Sequence, residues 1–152
     1  MSDAGDIDKQ HSTTKKELVG LINQLSSQFA ERRLTVRRIE GYLAISAEQS
    51  ESKKSWALDG ENYQVRITAW AKTKDALVTE IRFYTNDINQ LMLTDLEKLF
   101  GKSRVFVGSK TTWVSFEKLK TKNGQDMVIK AELFSPPSKE PSPVLMLMLR
   151  QD

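Results

Sequence analysis

Few residues of this 152-residue chain could carry acid, base or nucleophilic chemistry. His11 is the single histidine, and the chain contains no cysteine. Because residues 1–12 are polar and lack apolar periodicity, we expect His11 to lie in a disordered tail. The folded part then has no histidine base, no Ser-His or Cys-His nucleophile pair, and no imidazole or thiolate metal ligand. We therefore expect a protein that is not an enzyme and that uses no cofactor or metal.

Two remaining groups of residues resemble catalytic or phosphate-binding patterns. Asp95 and Glu97 are better explained as the solvent-exposed side of a helix than as an acid-base pair. Gly101-Lys102-Ser103 resembles the end of a phosphate-binding loop, but the Walker pattern requires a glycine where this chain has Leu96. The predicted helix also ends at the glycine, whereas a phosphate loop precedes its helix. Neither group predicts a site.

Basic residues are concentrated at two predicted helix-to-strand junctions and on one predicted strand. With Trp70 or Trp113 nearby, they could hold nucleic acid or anionic lipid headgroups, because phosphate contacts supply much sequence-independent affinity. Interleaved acids such as Glu31 and Glu132, and a net charge of only +3, favour ordinary solvated charges that complement helix dipoles. The candidate anionic-ligand patch consists of Arg32, Arg33, Arg37, Arg38, Lys102, Arg104, Lys118 and Lys120.

Methionines in the second half of the chain suggest a surface for a protein partner. Methionine adapts to irregular partners and is common on promiscuous binding surfaces. Core filling is the favoured alternative, because the leucines that alternate with the methionines in Leu145–Leu149 also require burial. The candidate partner surface consists of Trp70, Met127, Met146 and Met148.

The composition is that of a soluble globular protein. Hydrophobic residues make up 39% of the chain and charged residues 28%, and no apolar run approaches the roughly 18 residues of a membrane span. The N-terminus lacks the basic start and apolar core of a signal peptide. We expect a cytoplasmic protein with a disordered tail over 1–12 and a single domain over 13–152.

Two amphipathic helices are predicted. Thr14-Lys15-Lys16-Glu17 is a capping-box pattern, and apolar residues then recur at helical spacing to about Arg32. The second helix is predicted to begin at Thr85-Asn86-Asp87 and to end at Gly101. Its apolar stripe consists of Ile88, Leu91, Met92, Leu96, Leu99 and Phe100.

Alternating apolar and polar residues predict an antiparallel sheet. Lys122-Asn123-Gly124 predicts a hairpin with a type I′ turn, because Asn-Gly tolerates positive φ angles. Segments 62–70 and 76–83 should form another hairpin. The predicted strands cover 34–47, 62–70, 76–83, 105–107, 111–119 and 126–134, with 105–107 and 111–119 either separate or one bent strand, and with loops at 48–54 and 135–143.

Val144–Leu149 is apolar on both faces. A strand with two apolar faces belongs inside a sheet, so we predict that it inserts between two others and leaves a monomer. The alternative is that it lies at the edge and pairs with its own copy in a homodimer.

The chain also contains an internal sequence similarity, which we call the echo. Phe29–Ser46 recurs in altered form at Phe100–Glu117, and 62–70 has a counterpart at 126–134. The echo predicts a tandem α-β-β-β repeat with halves at about 13–84 and 85–152. The predicted fold is α+β, with two helices packed on one face of an antiparallel sheet of about six strands.

This duplicated unit resembles the architecture of β-lactamase-inhibitor-type proteins. The element order over 14–100 is similar to that of kinase-associated lipid-binding C-terminal domains and of secretion-chaperone-like domains. The resemblance is in element order alone, and it implies a binding module. We expect a non-enzymatic module with a protein partner, as in an adaptor, chaperone or inhibitor. The alternative is a weak binder of lipid headgroups or nucleic acid at the basic junctions.

Overall fold

A computed structural model of the chain describes residues 14–85, 91–116, 119–120, 122–134 and 142–151. These residues form three helices and a nine-stranded antiparallel sheet, which confirms the predicted α+β class with an antiparallel sheet. The predicted tail, part of the predicted second helix at 86–90, and most of the proline-rich loop at 135–141 lie outside the described residues.

The helices are short except for the first. They are α1 (Lys15–Ala30), α2 (Val36–Leu43) and α3 (Leu93–Phe100). The strands are β1 (Glu48–Gln49), β2 (Ser55–Asp59), β3 (Tyr63–Ala69), β4 (Val78–Thr85), β5 (Ser103–Val107), β6 (Thr112–Phe116), β7 (Leu119–Lys120), β8 (Asp126–Leu133) and β9 (Val144–Gln151).

Helix α1 begins where the capping-box pattern predicts. The backbone N–H of Glu17 donates to Thr14 Oγ1 at 3.1 Å, and the Thr14 hydroxyl donates to Glu17 Oε1 at 3.0 Å. These bonds satisfy groups that a helix N-terminus leaves unpaired. The apolar stripe is buried along the whole helix, at Leu18, Ile22, Leu25 and Phe29.

The predicted strand over 34–47 is wrong, because most of this segment forms α2. Val36, Ile39 and Leu43 are buried on one face of the helix. Thr35 caps the helix by accepting the Arg38 N–H at 3.2 Å, and Ala44 ends it in the left-handed region at φ 55°. Over eight residues the helical and strand periodicities are hard to separate, and the Thr35 cap favours the helix.

Helix α3 begins later than predicted. Leu91 and Leu93 lie beside the start of β9, where the Val144 N–H donates to Leu91 O at 2.9 Å and the Leu93 N–H donates to Ser142 O at 2.8 Å. This short antiparallel bridge holds the chain extended up to Met92. The predicted end at Gly101 is confirmed, because Gly101 takes φ 88° and its N–H donates to Glu97 O.

The sheet consists of two meanders that meet at its centre. The strand order is β1-β2-β3-β4-β9-β8-β6-β5, and β7 also pairs with β8. The predicted β3–β4 hairpin is confirmed, and β9 inserts between β4 and β8 as predicted. β5 and β6 are separate strands around residues 108–110. Strand β2 was not predicted.

The hairpin predicted at Lys122-Asn123-Gly124 forms between β7 and β8, but the predicted turn type is wrong. Lys120 pairs with Asp126, so the loop spans 121–125. Among the described residues of this loop, Gly124 is the one with a positive φ, at 84°. A type I′ turn needs two such residues in a two-residue loop. The register of β7 on β8 therefore requires a longer connection.

One apolar core includes buried residues from all three helices and from the strands. A small cavity in this core is lined by Ile22, Leu25, Ile81, Phe83, Leu147 and Leu149. Successive residues of a strand point to opposite faces of the sheet. The strand residues that alternate with the core residues, such as Arg82 and Lys130, therefore lie on the face away from the core, which we call the outer face. No helix within the described ranges is long and apolar enough to cross a bilayer.

Candidate binding groove on the outer face of the sheet

The strand register aligns basic and apolar side chains across the outer face. Arg82 on β4 is opposite Met148 on β9, which is opposite Lys130 on β8. Lys130 is in turn opposite Ser115 on β6, and Ser115 is opposite Arg104 on β5. Directly opposite residues have Cβ atoms about 5 Å apart, so these side chains are neighbours. One row therefore crosses five strands and carries three cations.

A second row on the same face carries the aromatic side chains. Tyr84 is opposite Met146, and Met146 is opposite Glu132. Glu132 is opposite Trp113, which is opposite Phe106. The two rows are adjacent because their residues are two positions apart on each strand. Aromatic and basic side chains thus lie beside each other over the half of the sheet that contains β5, β6 and β8.

These rows enclose a groove of about 670 Å³. Ligand pockets in proteins have volumes of roughly 300–1,000 Å³, so the groove can hold several side chains of a bound segment. We call it the outer-face groove, and it is lined by Arg82, Phe106, Trp113, Val114, Ser115, Lys130, Met148 and Arg150.

The apolar part of the groove has a fixed floor and an exposed rim. The Met148 side chain is buried on the central strand β9, whereas Phe106 on the edge strand is exposed. The Trp113 indole N–H donates to Thr111 Oγ1 at 3.0 Å, which restrains the ring. A restrained aromatic ring loses little conformational entropy when it contacts a ligand.

The cations of the groove differ in whether a carboxylate of the chain neutralises their charge. Arg82 Nε donates to Glu80 Oε2 at 3.1 Å. The hydrogen bond with the Tyr84 hydroxyl raises the pKa of Arg82 against the opposing effect of burial. Within the described part of the chain, no carboxylate forms an ion pair with Lys130. Within those ranges, Lys130 is thus a groove cation without a carboxylate partner.

The predicted anionic-ligand patch is distributed over several parts of the fold. Arg33 and Arg37 lie near carboxylates, with Arg37 Nε 2.7 Å from Asp75 Oδ1. Arg32 donates to Gln125 Oε1, and Arg38 donates to Gln28 Oε1, both at 3.2 Å. Lys102 follows α3, Arg104 lies on β5, Lys120 lies on β7, and Lys118 lies outside the described residues. Of this patch, Arg104 lies in the row that forms the groove.

The predicted partner surface is divided between the two faces of the sheet. Met127, Met146 and Met148 are 1%, 2% and 6% exposed. Met127 lies in the buried core cluster, as the core-filling alternative expects, and the partner surface stays a prediction. Met146 and Met148 lie on the outer face, and Met148 lines the groove. Trp70, which is 77% exposed, lines a separate cavity of about 950 Å³ that Arg32, Lys54 and Asp75 also line.

The sequence suggested that Asp95 lies on the solvent-exposed side of a helix, but Asp95 is buried. It is buried at the start of α3, where Oδ2 accepts the Met92 N–H at 2.9 Å and lies 3.1 Å from Lys15 Nζ. Glu97 accepts the Ser103 hydroxyl at 2.9 Å. Asp95 therefore caps α3 and joins it to α1, and Glu97 joins α3 to β5.

Sequence reasoning did not single out six of the eight groove-lining residues as site residues, namely Arg82, Phe106, Val114, Ser115, Lys130 and Arg150. A detectable pattern exists, because β9 was predicted to be central with apolar residues on both faces. On the two strands that pair with β9, the polar residues that point to the same face as Met148 then have to surround it. The pairing of β8 and β9 was the missing information.

Comparison with known proteins identifies no similar protein or structure. A search with models of protein families, a search of curated proteins and a search of solved structures each find no match. Among the described residues, no group of three or more acidic, histidine or cysteine side chains has the arrangement of a metal site.

Proposed function

We propose that the protein is a non-enzymatic binding module whose outer-face groove holds a segment of a protein partner. The segment carries both apolar and acidic side chains. The observation that carries this proposal is that one groove contains Phe106, Trp113 and Met148 beside Arg82 and Lys130.

The apolar side of the groove supports affinity for a side chain such as leucine or phenylalanine. Phe106 is exposed, and covering it removes apolar surface from water at about 25 cal/mol per Å². Tryptophan and arginine are enriched among the residues that dominate binding energy at interfaces. Met148 can adjust its shape to the inserted group.

The basic side of the groove supports selection for a carboxylate. Lys130 is half-buried and lies opposite Met148, so a carboxylate bound to it would be partly shielded from water. Hydrogen bonds between ionised groups are shorter and roughly twice as strong as neutral ones. Glu132 lies beside the groove in the aromatic row, and it would repel an acidic residue placed over Trp113. The carboxylate is therefore expected next to Lys130 and Arg82.

We also infer that the helices cover one face of the sheet and that the two halves of the chain are a tandem repeat. The β3–β4 and β8–β9 hairpins occupy matching positions on either side of the centre, which supports the repeat, whereas α2 has no helical counterpart at the equivalent residues 107–114. The core shared by helix and strand residues supports the one-sided helix layer. With the helices on one side, the groove would lie on the side left for a partner.

Peptides selected from a random phage-displayed library test the proposal. We expect enrichment of sequences that combine Asp or Glu with Leu, Phe or Trp. The affinity of a selected peptide, measured by fluorescence anisotropy, should fall about tenfold or more with Lys130→Glu, because attraction becomes repulsion. Lys16→Glu is the matched control, since it makes the same change of charge at an exposed position of α1 and should leave affinity unchanged.

Equal binding by the wild type and Lys130→Glu would contradict the groove proposal. The alternative function is a weak binder of lipid headgroups or nucleic acid, and the exposed Trp70 beside Arg32 and Lys54 favours it. In that case single-stranded oligonucleotides or anionic vesicles should bind with an affinity that falls steeply with salt, because neutralised phosphates release counterions. Trp70→Ala should weaken that binding, and Lys130→Glu should affect it less.

A further inference from the structure

The edge strand β5 carries an unusual run of exposed apolar side chains. Val105, Phe106 and Val107 are 44%, 54% and 64% exposed. In the described part of the chain, β5 pairs with β6 alone and ends one side of the sheet. Proteins usually protect an edge strand with an inward charge, a proline, a bulge or a covering element. Within Ser103–Val107 there is no proline, and the β5–β6 register has no bulge.

The hairpin turn shows which backbone groups of β5 point away from β6. The Gly108 N–H donates to Thr111 O at 2.8 Å, so the backbone groups of Gly108 point toward β6. Successive strand residues point their N–H and C=O groups to opposite sides. The groups of Phe106 and Arg104 therefore also point toward β6. Those of Ser103, Val105 and Val107 point outward, where a further strand would bind.

We infer that β5 pairs with β5 of a second copy of this chain, antiparallel about a two-fold axis at Val105. Val105 then exchanges both backbone hydrogen bonds with Val105 of the second copy, and Ser103 does so with Val107 of the second copy. In this register Arg104 lies opposite Phe106 of the second copy. By symmetry, Phe106 lies opposite Arg104 of the second copy, so the surface is complementary to itself.

The side-chain chemistry selects this register over its neighbours. Arg104 and Phe106 form a pair without backbone hydrogen bonds, in which side chains approach most closely, and a guanidinium is attracted to an aromatic ring. An axis at Ser103 would place Arg104 opposite Lys102 of the second copy. An axis at Val107 would place it opposite Lys110. Both alternatives oppose like charges, which is destabilising.

This dimer would also extend the outer-face groove. Phe106 lines that groove, and Arg104 belongs to the row of basic residues that crosses it. In the dimer, the second copy places its own Arg104 against Phe106, so each groove gains a cation from the other chain. The inference rests on β5 alone, and it stands whether or not the groove binds a peptide.

Sedimentation equilibrium of the full chain over a range of concentrations tests the inference. We expect a monomer–dimer equilibrium for the wild type. Val105→Pro should raise the dissociation constant of the dimer at least about tenfold, because it removes an N–H that bonds the second copy and no N–H that bonds β6. Val105→Ala is the matched control, since it keeps the N–H and should lower affinity far less. Circular dichroism should show that both variants keep the fold.

The register is tested by exchanging the two residues that face each other. Phe106→Arg opposes two arginines and should dissociate the dimer, whereas Arg104→Phe combined with Phe106→Arg restores the pair and should restore the dimer. A wild type that stays monomeric at every concentration would overturn the inference and leave β5 to a strand of another protein. A dimer that Val105→Pro does not weaken would overturn it as well, and so would a double variant that stays monomeric.

Discussion

Gly60 is a position where the absence of a side chain is required by a neighbour. A Cβ built at Gly60 would lie 2.3 Å from Cζ of Tyr63, inside the volume of its ring. Tyr63 is buried and stacks on Phe83, with ring centroids 5.2 Å apart. The ring therefore has little room to move, and the close approach at the β2–β3 connection depends on glycine.

Gly60→Ala should lower the free energy of unfolding by about 1–3 kcal/mol, because the methyl group forces the Tyr63–Phe83 pair apart. Gly41→Ala is the matched control, since a Cβ at Gly41 meets no atom within 4 Å and the residue lies inside α2. That change should raise stability by about 0.5–1 kcal/mol through helix propensity. Urea denaturation of both variants measures the difference. Equal stability of Gly60→Ala and the wild type would contradict the clash.

At the scale of elements, Glu40 connects α2 by hydrogen bonds to the loop that contains Ala47 and to the loop that contains Lys74. Its Oε2 accepts the Ala47 N–H at 2.7 Å and the Lys74 ammonium at 2.7 Å. Burial raises the pKa of Glu40, but the bonds from Lys74 and Ala47 and the charge of Arg37 outweigh burial, so the pKa lies below its usual range. The ionised form is therefore the one that stabilises the fold.

This lowered pKa predicts how stability depends on pH. The contribution of Glu40 is present above the pKa of an unfolded glutamate, about 4.3, and is lost as the pH falls through the lower folded value. Glu40→Gln should cost about 1 kcal/mol at pH 7, because both groups of the pair are partly exposed and solvent screens them. Thermal unfolding between pH 7 and pH 3 should show the two proteins converging in the acid range. A difference that does not change with pH would exclude the ionised carboxylate as the cause.

The elements that the sequence predicted are those in which periodicity, caps and tertiary pairing agree. Alternation in 62–70, 76–83 and 126–134 predicted three core strands, and Thr14 with Glu17 predicted the start of α1. The short α2 was mistaken for a strand because Val36, Ile39 and Leu43 are too few to separate the two periods. The groove was not predicted, because Arg82, Lys130 and Met148 become neighbours only through strand pairing, which local sequence does not encode.

At the scale of the molecule, β9 joins the two halves of the sheet. Leu147 is buried, opposite Phe83 on β4 and opposite Ala131 on β8. Strand β9 thus supplies the contact surface for both meanders. Because both neighbours depend on it, a defect in β9 is expected to affect the whole sheet.

Leu147→Ala should lower the free energy of unfolding by about 2–5 kcal/mol, as a large-to-small change does in a core that cannot collapse around the cavity. Trp70→Ala removes a larger side chain from an exposed position and should change stability by less than about 0.5 kcal/mol. Chemical denaturation at a concentration where the chain is monomeric measures both. Comparable losses from the two variants would contradict a central, tightly packed β9.

The place of β9 in the strand order has a consequence for how the chain is made. Strand β9 is synthesised after every other described strand, yet it belongs between β4 and β8. While the ribosome is still translating, β4 and β8 each present an edge whose pairing strand has not yet emerged. Such edges attract strands of other nascent chains. We expect a translation product interrupted before Val144 to be a substrate for chaperones and proteases, because β4 and β8 then each keep an unpaired strand edge.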